Sequence, residues 1–265
     1  MKLKIRRIFA VTTAIFGVVV WLLINPESYE TVFVAAENEE AANSVSETRE
    51  AVNAEVGASA SSGEMAGVGA SLEAPLAREV LALLEVKGRA PKTGYTREMF
   101  YNGWPTVEGC SLRQRILKRE FGDTAVLNGC NVVAGEYDEP YTGKHLVFTE
   151  KSQVSKVQID HVVALSDAWQ KGAQYMSYEV RNAMATDPLN LLAVDGSANQ
   201  GKSDGDAATW LPANKGFRCQ YVARQVSVKY KYGLWVTEAE KEAISKVLSN
   251  CPGEKAVGIN LADNN

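Results

Sequence analysis

The N-terminal segment constrains this chain most, because it sets the compartment in which the rest must fold. Four basic residues within the first seven positions precede a largely apolar stretch over residues 8–24, and residues 1–25 contain no acidic residue. A basic start followed by an apolar run is typical of an export signal. The run also reaches the lower limit of about 17 residues for a membrane span. We therefore interpret residues 1–36 as a signal peptide or as an uncleaved signal anchor.

The next segment differs sharply in composition. Residues 37–73 are mostly Ala, Glu, Ser, Gly, Val and Asn, and they include no aromatic residue. Such a stretch cannot bury enough apolar surface to offset the entropy lost on ordering. We therefore predict that residues 37–75 form a disordered acidic linker, followed by a folded domain over residues 76–253 and a flexible tail over residues 254–265.

The charge of the chain is unevenly distributed. The net charge is −4, which by itself argues against a nucleic-acid ligand, because proteins that bind nucleic acids tend to carry a basic surface. Residues 1–25 carry +4, residues 26–75 carry −9, and residues 76–265 carry +1. The acidity thus belongs to the linker, and the composition does not exclude an anionic substrate for the folded domain.

Four cysteines agree with an exported chain. They are Cys110, Cys130, Cys219 and Cys251. Thiols oxidise outside the cytoplasm, so an even number predicts two disulfides. Three pairings are open, and we favour 110–130 with 219–251 because each closes a local loop. The alternative is a structural zinc site, which typically needs closely spaced cysteine pairs that this chain lacks.

Apolar spacing predicts an α+β domain in which helices form the majority. Helices are expected over 76–87, 112–121, 164–173, 178–185, 217–232 and 238–248, and strands over 131–134, 146–149, 157–159 and 191–194. The helix over 238–248 follows Thr237, a predicted N-cap, and carries Glu240 at the capping-box position.

The two histidines have different settings. His145 lies beside a Gly-Lys turn and is expected to be an exposed surface residue. His161 follows Asp160 at the end of a predicted strand. Further along, Asn190 precedes another short strand and Asn199 lies nine positions later. Taken singly, Asn190 could be explained as a turn former.

Taken together, these four residues resemble the HNH, or ββα-metal, endonuclease motif. A wider resemblance, over about residues 94–251, is to secreted actinobacterial HNH-family proteins, which are related to the nuclease part of GmrSD-type restriction enzymes. The segments that carry it are 102–104, 138–143, 160–165, 187–191 and 206–212. The resemblance implies a ββα-metal core embedded in additional helices, two of them inserted between His161 and Asn190.

The resemblance also implies a role for each residue of the motif. His161 would be the general base, because a neutral histidine accepts a proton at physiological pH. Asp160 and Asn199 would supply oxygens to a divalent cation, with Mg²⁺ favoured and Mn²⁺ or Ca²⁺ as alternatives. Asn190 would hold the loop that carries His161.

Basic residues are candidates for substrate binding. Lys202 is expected either to contact phosphate or to be a solvated surface lysine. Arg113 is a further candidate, although the secreted relatives are expected to have Asp where this chain has Ser111. Two basic helix faces are expected either to neutralise phosphates or to be solvated: Arg113, Arg115, Lys118 and Arg119 form one, and Arg224, Lys229 and Lys231 form the other.

The sequence therefore predicts a secreted or surface-tethered, metal-dependent endonuclease that acts on nucleic acid, DNA rather than RNA. No sequence-reading module is evident, so little sequence specificity is expected, and no obligate protein partner is indicated. The alternative is a non-catalytic module that binds nucleic acid or the cell envelope and retains the HNH fold. Another class of hydrolase is disfavoured, because no His-Glu-x-x-His helix is present and two histidines cannot form a multi-histidine zinc centre within one chain.

Overall fold

The computed structural model of the protein describes residues 74–259, so the predicted signal or anchor over 1–36 lies outside this range, as does the predicted linker over 37–75 except for its last two residues. The predicted α+β class is confirmed. The helices are α1 (Ala77–Leu83), α2 (Leu112–Phe121), α3 (Lys151–Val154), α4 (Leu165–Gln170), α5 (Tyr178–Thr186), α6 (Gly196–Lys202), α7 (Arg218–Lys231) and α8 (Glu238–Leu248).

The strands form small antiparallel sheets. They are β1 (Thr106–Val107), β2 (Cys110–Ser111), β3 (Val126–Asn128), β4 (Asn131–Asp138), β5 (His145–Phe148), β6 (Gln158–His161) and β7 (Leu191–Val194). β1 pairs with β2, β3 and β5 flank β4, and β6 pairs with β7.

Side-chain caps explain why α2 and α8 begin where the sequence predicts. The Ser111 hydroxyl accepts a hydrogen bond from the Gln114 backbone N–H at 3.4 Å. The Thr237 hydroxyl accepts one from the backbone N–H of Glu240 at 3.2 Å. Each bond satisfies an amide that has no partner within its own helix.

The β6–β7 hairpin and α6 form the central ββα unit. Asp160 lies opposite Leu192, and His161 lies opposite Leu191. β7 leads directly into α6 through Asp195, whose side chain caps the helix by accepting from the Ala198 N–H at 2.8 Å. The long connection between the strands carries α4 and α5, as the sequence predicts.

Apolar packing surrounds this unit on several sides. Leu192 and Val194 of β7 pack with buried residues of α1, α7 and α8. On the other face of the same strand, Leu191 and Ala193 pack with Leu117 of α2 and its neighbours. Because β7 is buried on both faces, the hairpin has a fixed place between the helices.

The segment after residue 253 differs from the predicted flexible tail over its described part. The Ala256 N–H donates to the Pro75 carbonyl at 2.8 Å. Ala256 is 2% exposed and Ile259 is 8% exposed, and both belong to the apolar cluster around α7. Residues 254–259 are therefore part of the folded domain, because two apolar side chains within them are buried in its core.

Both favoured disulfides are confirmed. Cys110 is joined to Cys130 and Cys219 to Cys251, and no cysteine among the described residues is free. The first links β2 to the turn before β4, and the second links α7 to the segment that follows α8. The zinc alternative is excluded for these four residues, because disulfide sulfurs are not thiolate ligands.

A buried network of alternating charges connects α4, α7 and α8. Its cations are Arg89, Lys171 and Lys229, and its anions are Asp167, Asp206 and Glu240. The Lys171 ammonium contacts all three carboxylates at 2.6–2.7 Å. Equal numbers of cations and anions compensate for the cost of removing these groups from water.

The carboxylate of Glu240 belongs to this network, whereas the sequence predicts it at the capping-box position of the helix. Its backbone amide binds the capping hydroxyl of Thr237, but its carboxylate is fully buried with Lys171 and Lys229. The capping pattern predicted the start of the helix correctly. The destination of the carboxylate depends on two lysines that are distant in sequence.

We predict that Asp206→Asn destabilises the protein by about 3 kcal/mol at pH 7, because it leaves the buried cations of the network with one carboxylate fewer. Although burial opposes it, the hydrogen bond and charge of Lys171, helped by Arg89, lower the pKa of Asp206 to about 2. This stabilisation is therefore present above about pH 4, the ordinary pKa of an aspartate, and declines as the pH falls towards 2.

Urea unfolding at pH 7 and pH 3 would measure both effects. The difference between wild type and variant should shrink at pH 3. Glu108→Gln is the control, because its exposed pair with Arg115 should contribute less than about 1 kcal/mol. Equal stability of wild type and Asp206→Asn at pH 7 would contradict the prediction.

Candidate active site

Three of the predicted site residues line one cavity. Asp160, His161 and Asn199 border a cavity of about 350 Å³, named here the histidine cavity. Adjacent residues within a strand point to opposite faces. Asp160 and His161 nevertheless reach the same cavity, because β6 ends at His161.

The contacts of His161 define its protonation state. Its Nε2 lies 2.9 Å from the Ala185 carbonyl oxygen, so this nitrogen carries the proton and donates it. The neutral ring then has its free lone pair on Nδ1. The ring stacks on Trp104 and is 4% exposed, and this burial lowers the pKa of His161 to about 3. The imidazole is therefore neutral at physiological pH.

Asp160 is held by two donors. The Lys202 ammonium donates to Oδ1 at 3.0 Å, and the Tyr141 hydroxyl donates to Oδ2. Burial raises the pKa of the Asp160 carboxyl, while Lys202 and Tyr141 act in the opposite direction. The carboxylate is thus fixed in orientation at the end of β6.

The two asparagines have different surroundings. The Asn199 amide nitrogen donates to Gln158 Oε1 at 2.8 Å, which leaves its amide oxygen as the atom able to bind a cation. Asn190 is fully buried, and its Oδ1 accepts from the Val163 N–H at 2.8 Å while its Nδ2 donates to the Met184 carbonyl at 3.3 Å. Asn190 therefore fixes the C-terminal end of the β6–β7 connection to the residues that follow His161.

Lys202 lies inside the protein. It is therefore not a solvated surface lysine, and in this structure its ammonium is not accessible to a ligand. Its side chain has no exposed area. Besides Asp160, its ammonium donates to the His161 carbonyl oxygen at 2.8 Å. Lys202 thus joins the last turn of α6 to the end of β6.

The two basic helix faces are not free phosphate-binding surfaces. On α2, Arg119 donates to the Pro188 carbonyl at 2.8 Å, and Arg115 pairs with Glu108 at 2.5 Å. On α7, Lys229 is fully buried in the charge network and Lys231 pairs with Asp187 at 2.7 Å. The helical spacing grouped these residues, but the long side chains of these four have separate structural partners.

A second cavity of about 410 Å³ adjoins the first and is named here the arginine cavity. Its wall includes the predicted residue Arg113, together with Arg97 and Trp104. Sequence reasoning missed the last two as functional candidates. Trp104 lies in a segment that carried the family resemblance, but no local pattern marks Arg97.

The turn over residues 138–143 positions the site, a role that the sequence resemblance did not assign. The fully buried Glu139 carboxylate accepts from the backbone N–H groups of Tyr141 and Asp195, each at 3.0 Å. Tyr141 in turn holds Asp160. This turn therefore connects the start of α6 to the carboxylate at the end of β6.

One grouping among the described residues has the spacing of a possible metal site, namely Cys219, Cys251 and Glu254. The two sulfurs are joined in a disulfide, so only one carboxylate is available there. This grouping therefore does not provide a metal centre, and the oxygen donors of the histidine cavity are the better candidates.

Comparison with known proteins places the chain in a family. Residues 113–247 match the family described as GmrSD restriction endonucleases, C-terminal domain. An "Uncharacterized secreted protein" of Arthroderma benhamiae is 35% identical over 181 residues, which cover 67% of this chain and 86% of that protein. The chain belongs to the GmrSD C-terminal domain family, which indicates a nuclease-like enzyme. No solved structure matches the chain.

The helices within residues 74–259 are too short or too polar to cross a membrane. The predicted signal or anchor over residues 1–36 lies outside this range.

The chain has only two histidines, so a proton NMR titration of the metal-free protein can follow each one separately. Burial keeps His161 neutral, and its ring signals should not titrate between pH 8 and 5. His145 is exposed, and its hydrogen bond to Asp138 raises its pKa, so its signals should titrate above the ordinary value near 6.5. Titration of both rings near pH 6.5 would contradict the assignment of His161 to a buried site.

We predict that Tyr141→Phe lowers the free energy of unfolding by about 2 kcal/mol, because it removes a buried donor to the Asp160 carboxylate. Tyr137→Phe is a matched control, because the Tyr137 hydroxyl is buried with no hydrogen-bond partner among the described residues. Urea unfolding should show little or no loss for the control. Equal losses for the two variants would mean that the hydroxyl of Tyr141 contributes only by packing.

Proposed function

We propose that this protein is an exported, metal-dependent endonuclease of the HNH, or ββα-metal, type. It hydrolyses phosphodiester bonds of nucleic acid, DNA in preference to RNA, with little sequence specificity. The observation that carries the proposal is the convergence of Asp160, His161 and Asn199 on one cavity at the end of the ββα unit. Membership of a family of restriction endonuclease domains supports it.

His161 acts as the general base in this proposal. Its Nε2–H is bound to the Ala185 carbonyl, so the ring is held with Nδ1 as the proton acceptor. Stacking on Trp104 limits rotation of the ring. A water at Nδ1 would lose its proton to the imidazole as it attacks phosphorus.

The residues of the histidine cavity fit a divalent cation. Asp160 and Asn199 offer a carboxylate and an amide oxygen, which are the ligands that Mg²⁺ prefers, with Mn²⁺ and Ca²⁺ as alternatives. A carboxylate has about four acceptor positions, and the bonds from Lys202 and Tyr141 use only two of them. When bound there, the cation would stabilise the negative charge that develops on the phosphate and the leaving oxygen.

The remaining motif residues act through others. Asn190 is fully buried and holds the backbone after His161 in place, so it is a positioning residue. Lys202 orients Asp160 and binds the carbonyl of His161, and it thereby sets the distance between base and metal ligand. Arg113 lies on the wall of the arginine cavity and is the proposed substrate-binding residue.

Export is also part of the proposal. The basic and apolar N-terminus suggests a signal peptide or a membrane anchor, and residues 37–73 a linker that separates it from the nuclease domain. Two disulfides in the domain are consistent with an oxidising compartment. The related protein of Arthroderma benhamiae is named as a secreted protein.

Plasmid nicking in Mg²⁺ tests the catalytic role of His161. His161→Ala should reduce the rate by a factor of about 100 to 10,000, the usual contribution of a general base. His145→Ala is the matched control, because the other histidine of the chain is exposed and lines neither of the two cavities. Circular dichroism and thermal unfolding should show that both variants remain folded.

Three outcomes would separate the parts of this proposal. Near-normal nicking by folded His161→Ala would remove the general-base assignment, and nicking that persists in excess chelator would remove the requirement for metal. A wild-type protein that binds DNA but does not cleave it with any of Mg²⁺, Mn²⁺ or Ca²⁺ would support the non-catalytic binding module instead.

A further inference from the structure

The arginine cavity and the histidine cavity share a wall. Arg97, Gln158, Ile159 and Asn199 border both of them. A chain bound across this wall would therefore contact the candidate catalytic residues on one side and the arginine cavity on the other. Two adjoining cavities can hold two successive units of a polynucleotide, whereas an isolated phosphodiester would fill only one of them.

The charges that line the arginine cavity have one sign. Its lining residues include Arg97, Arg113 and Lys151, and they include no Asp or Glu. The histidine cavity differs, because Asp160 and Asp204 are among its lining residues. The arginine cavity is therefore the more favourable of the two for an anion that arrives without a metal.

None of these three cations forms an ion pair with a carboxylate of residues 74–259. Arg113 donates one bond, to the Val157 carbonyl at 2.7 Å, and the pKa of its partly buried guanidinium is lowered by burial. Arg97 donates to the Tyr101 hydroxyl at 2.8 Å. Their other N–H groups remain as donors for a phosphate, which guanidinium groups bind with two parallel bonds.

An aromatic ring completes the wall. Trp104 lines the arginine cavity, and it also stacks on His161 with ring centroids 5.9 Å apart. It thus lies between the proposed base and the second cavity. An indole beside several cations is the combination that holds a nucleotide, because bases stack on aromatic rings while cations bind the backbone.

We infer that the arginine cavity is a subsite for the nucleotide next to the cleaved phosphodiester. Arg97, Arg113 and Lys151 bind the phosphate of that nucleotide, and Trp104 supports its base. The inference rests on the proposed function, and it adds that the enzyme selects a polynucleotide chain over a small phosphodiester. Arg97 and Trp104 lie outside the residues that match the family, so this preference is set partly by the segment before the matched domain.

Kinetics with two substrates tests the subsite. One is a dye-labelled 12-nucleotide single-stranded DNA, and the other is bis(4-nitrophenyl) phosphate, which has no flanking nucleotide. For the double variant Arg113→Gln/Lys151→Gln, the ratio of kcat/KM for DNA to kcat/KM for the small substrate should fall at least tenfold, mainly through KM. The dependence of log kcat/KM for DNA on log salt concentration should also become shallower by about 1.4, for two lost phosphate contacts.

Arg115→Gln/Lys118→Gln is the charge-matched control, because it removes two exposed cations from the same helix as Arg113 without changing the cavity. This control should keep the wild-type ratio. The single variant Lys151→Gln is included in case the double variant does not fold, because Arg113→Gln removes the hydrogen bond to the Val157 carbonyl. The single variant should show a smaller change in the same direction.

The outcomes distinguish this inference from the proposed function. If wild type cleaves both substrates and the double variant keeps the wild-type ratio, the subsite is overturned and the nuclease stands. If wild type cleaves neither, the nuclease fails, and fluorescence anisotropy with the DNA in chelator decides the subsite. Binding that weakens at least tenfold in the double variant supports the subsite, and binding equal to wild type, or no binding by wild type, overturns it.

Discussion

The burial of one lysine ammonium is the constraint on which the candidate site depends. The Lys202 side chain has no exposed area, and an unpaired charge in that place would cost several kcal/mol. It is compensated by Asp160 and by the carbonyl oxygen of His161, both at the end of β6. The ββα unit is therefore closed by charge-assisted hydrogen bonds between its helix and its first strand. A shift of α6 along the hairpin would break these bonds.

A second set of buried charges explains how the hairpin tolerates a long connection between its strands. Asp167 and Lys171 on and beside α4 belong to the network that includes Glu240 of α8 and Lys229 of α7. The connection is thus anchored to the helices that also pack on β7. Its other end returns to the hairpin through Asn190, which binds the backbone of Val163. The insertion is a fixed part of the domain, and through the Ala185 carbonyl it also orients the ring of His161.

The local distribution of charge is more informative about a ligand than the total. The chain as a whole is acidic, yet the arginine cavity presents three cations without a carboxylate in its wall. Most other basic residues that the sequence grouped into helix faces are bound to carbonyls or carboxylates. The three cations of the arginine cavity come from the 3-10 helix at residues 97–99, from α2 and from the start of α3. This arrangement explains why helical periodicity indicated Arg113 but neither Arg97 nor Lys151.

The sequence by itself determined the elements whose causes are local. The bounds of α2 and α8 follow from apolar spacing, in α8 together with Thr237 as a cap, and the disulfides follow from loops that close over short separations. The motif also predicted which residues meet at the end of the hairpin, because the order of strand, strand and helix brings Asp160, His161 and Asn199 to one edge. Tertiary structure alone decided the burial of Lys202, the partner of the Glu240 carboxylate, the packing of residues 254–259 and the recruitment of Arg97 and Tyr141. Each of these depends on a partner far away in the chain, and the environment of a long or charged side chain is set by that partner rather than by the residues beside it.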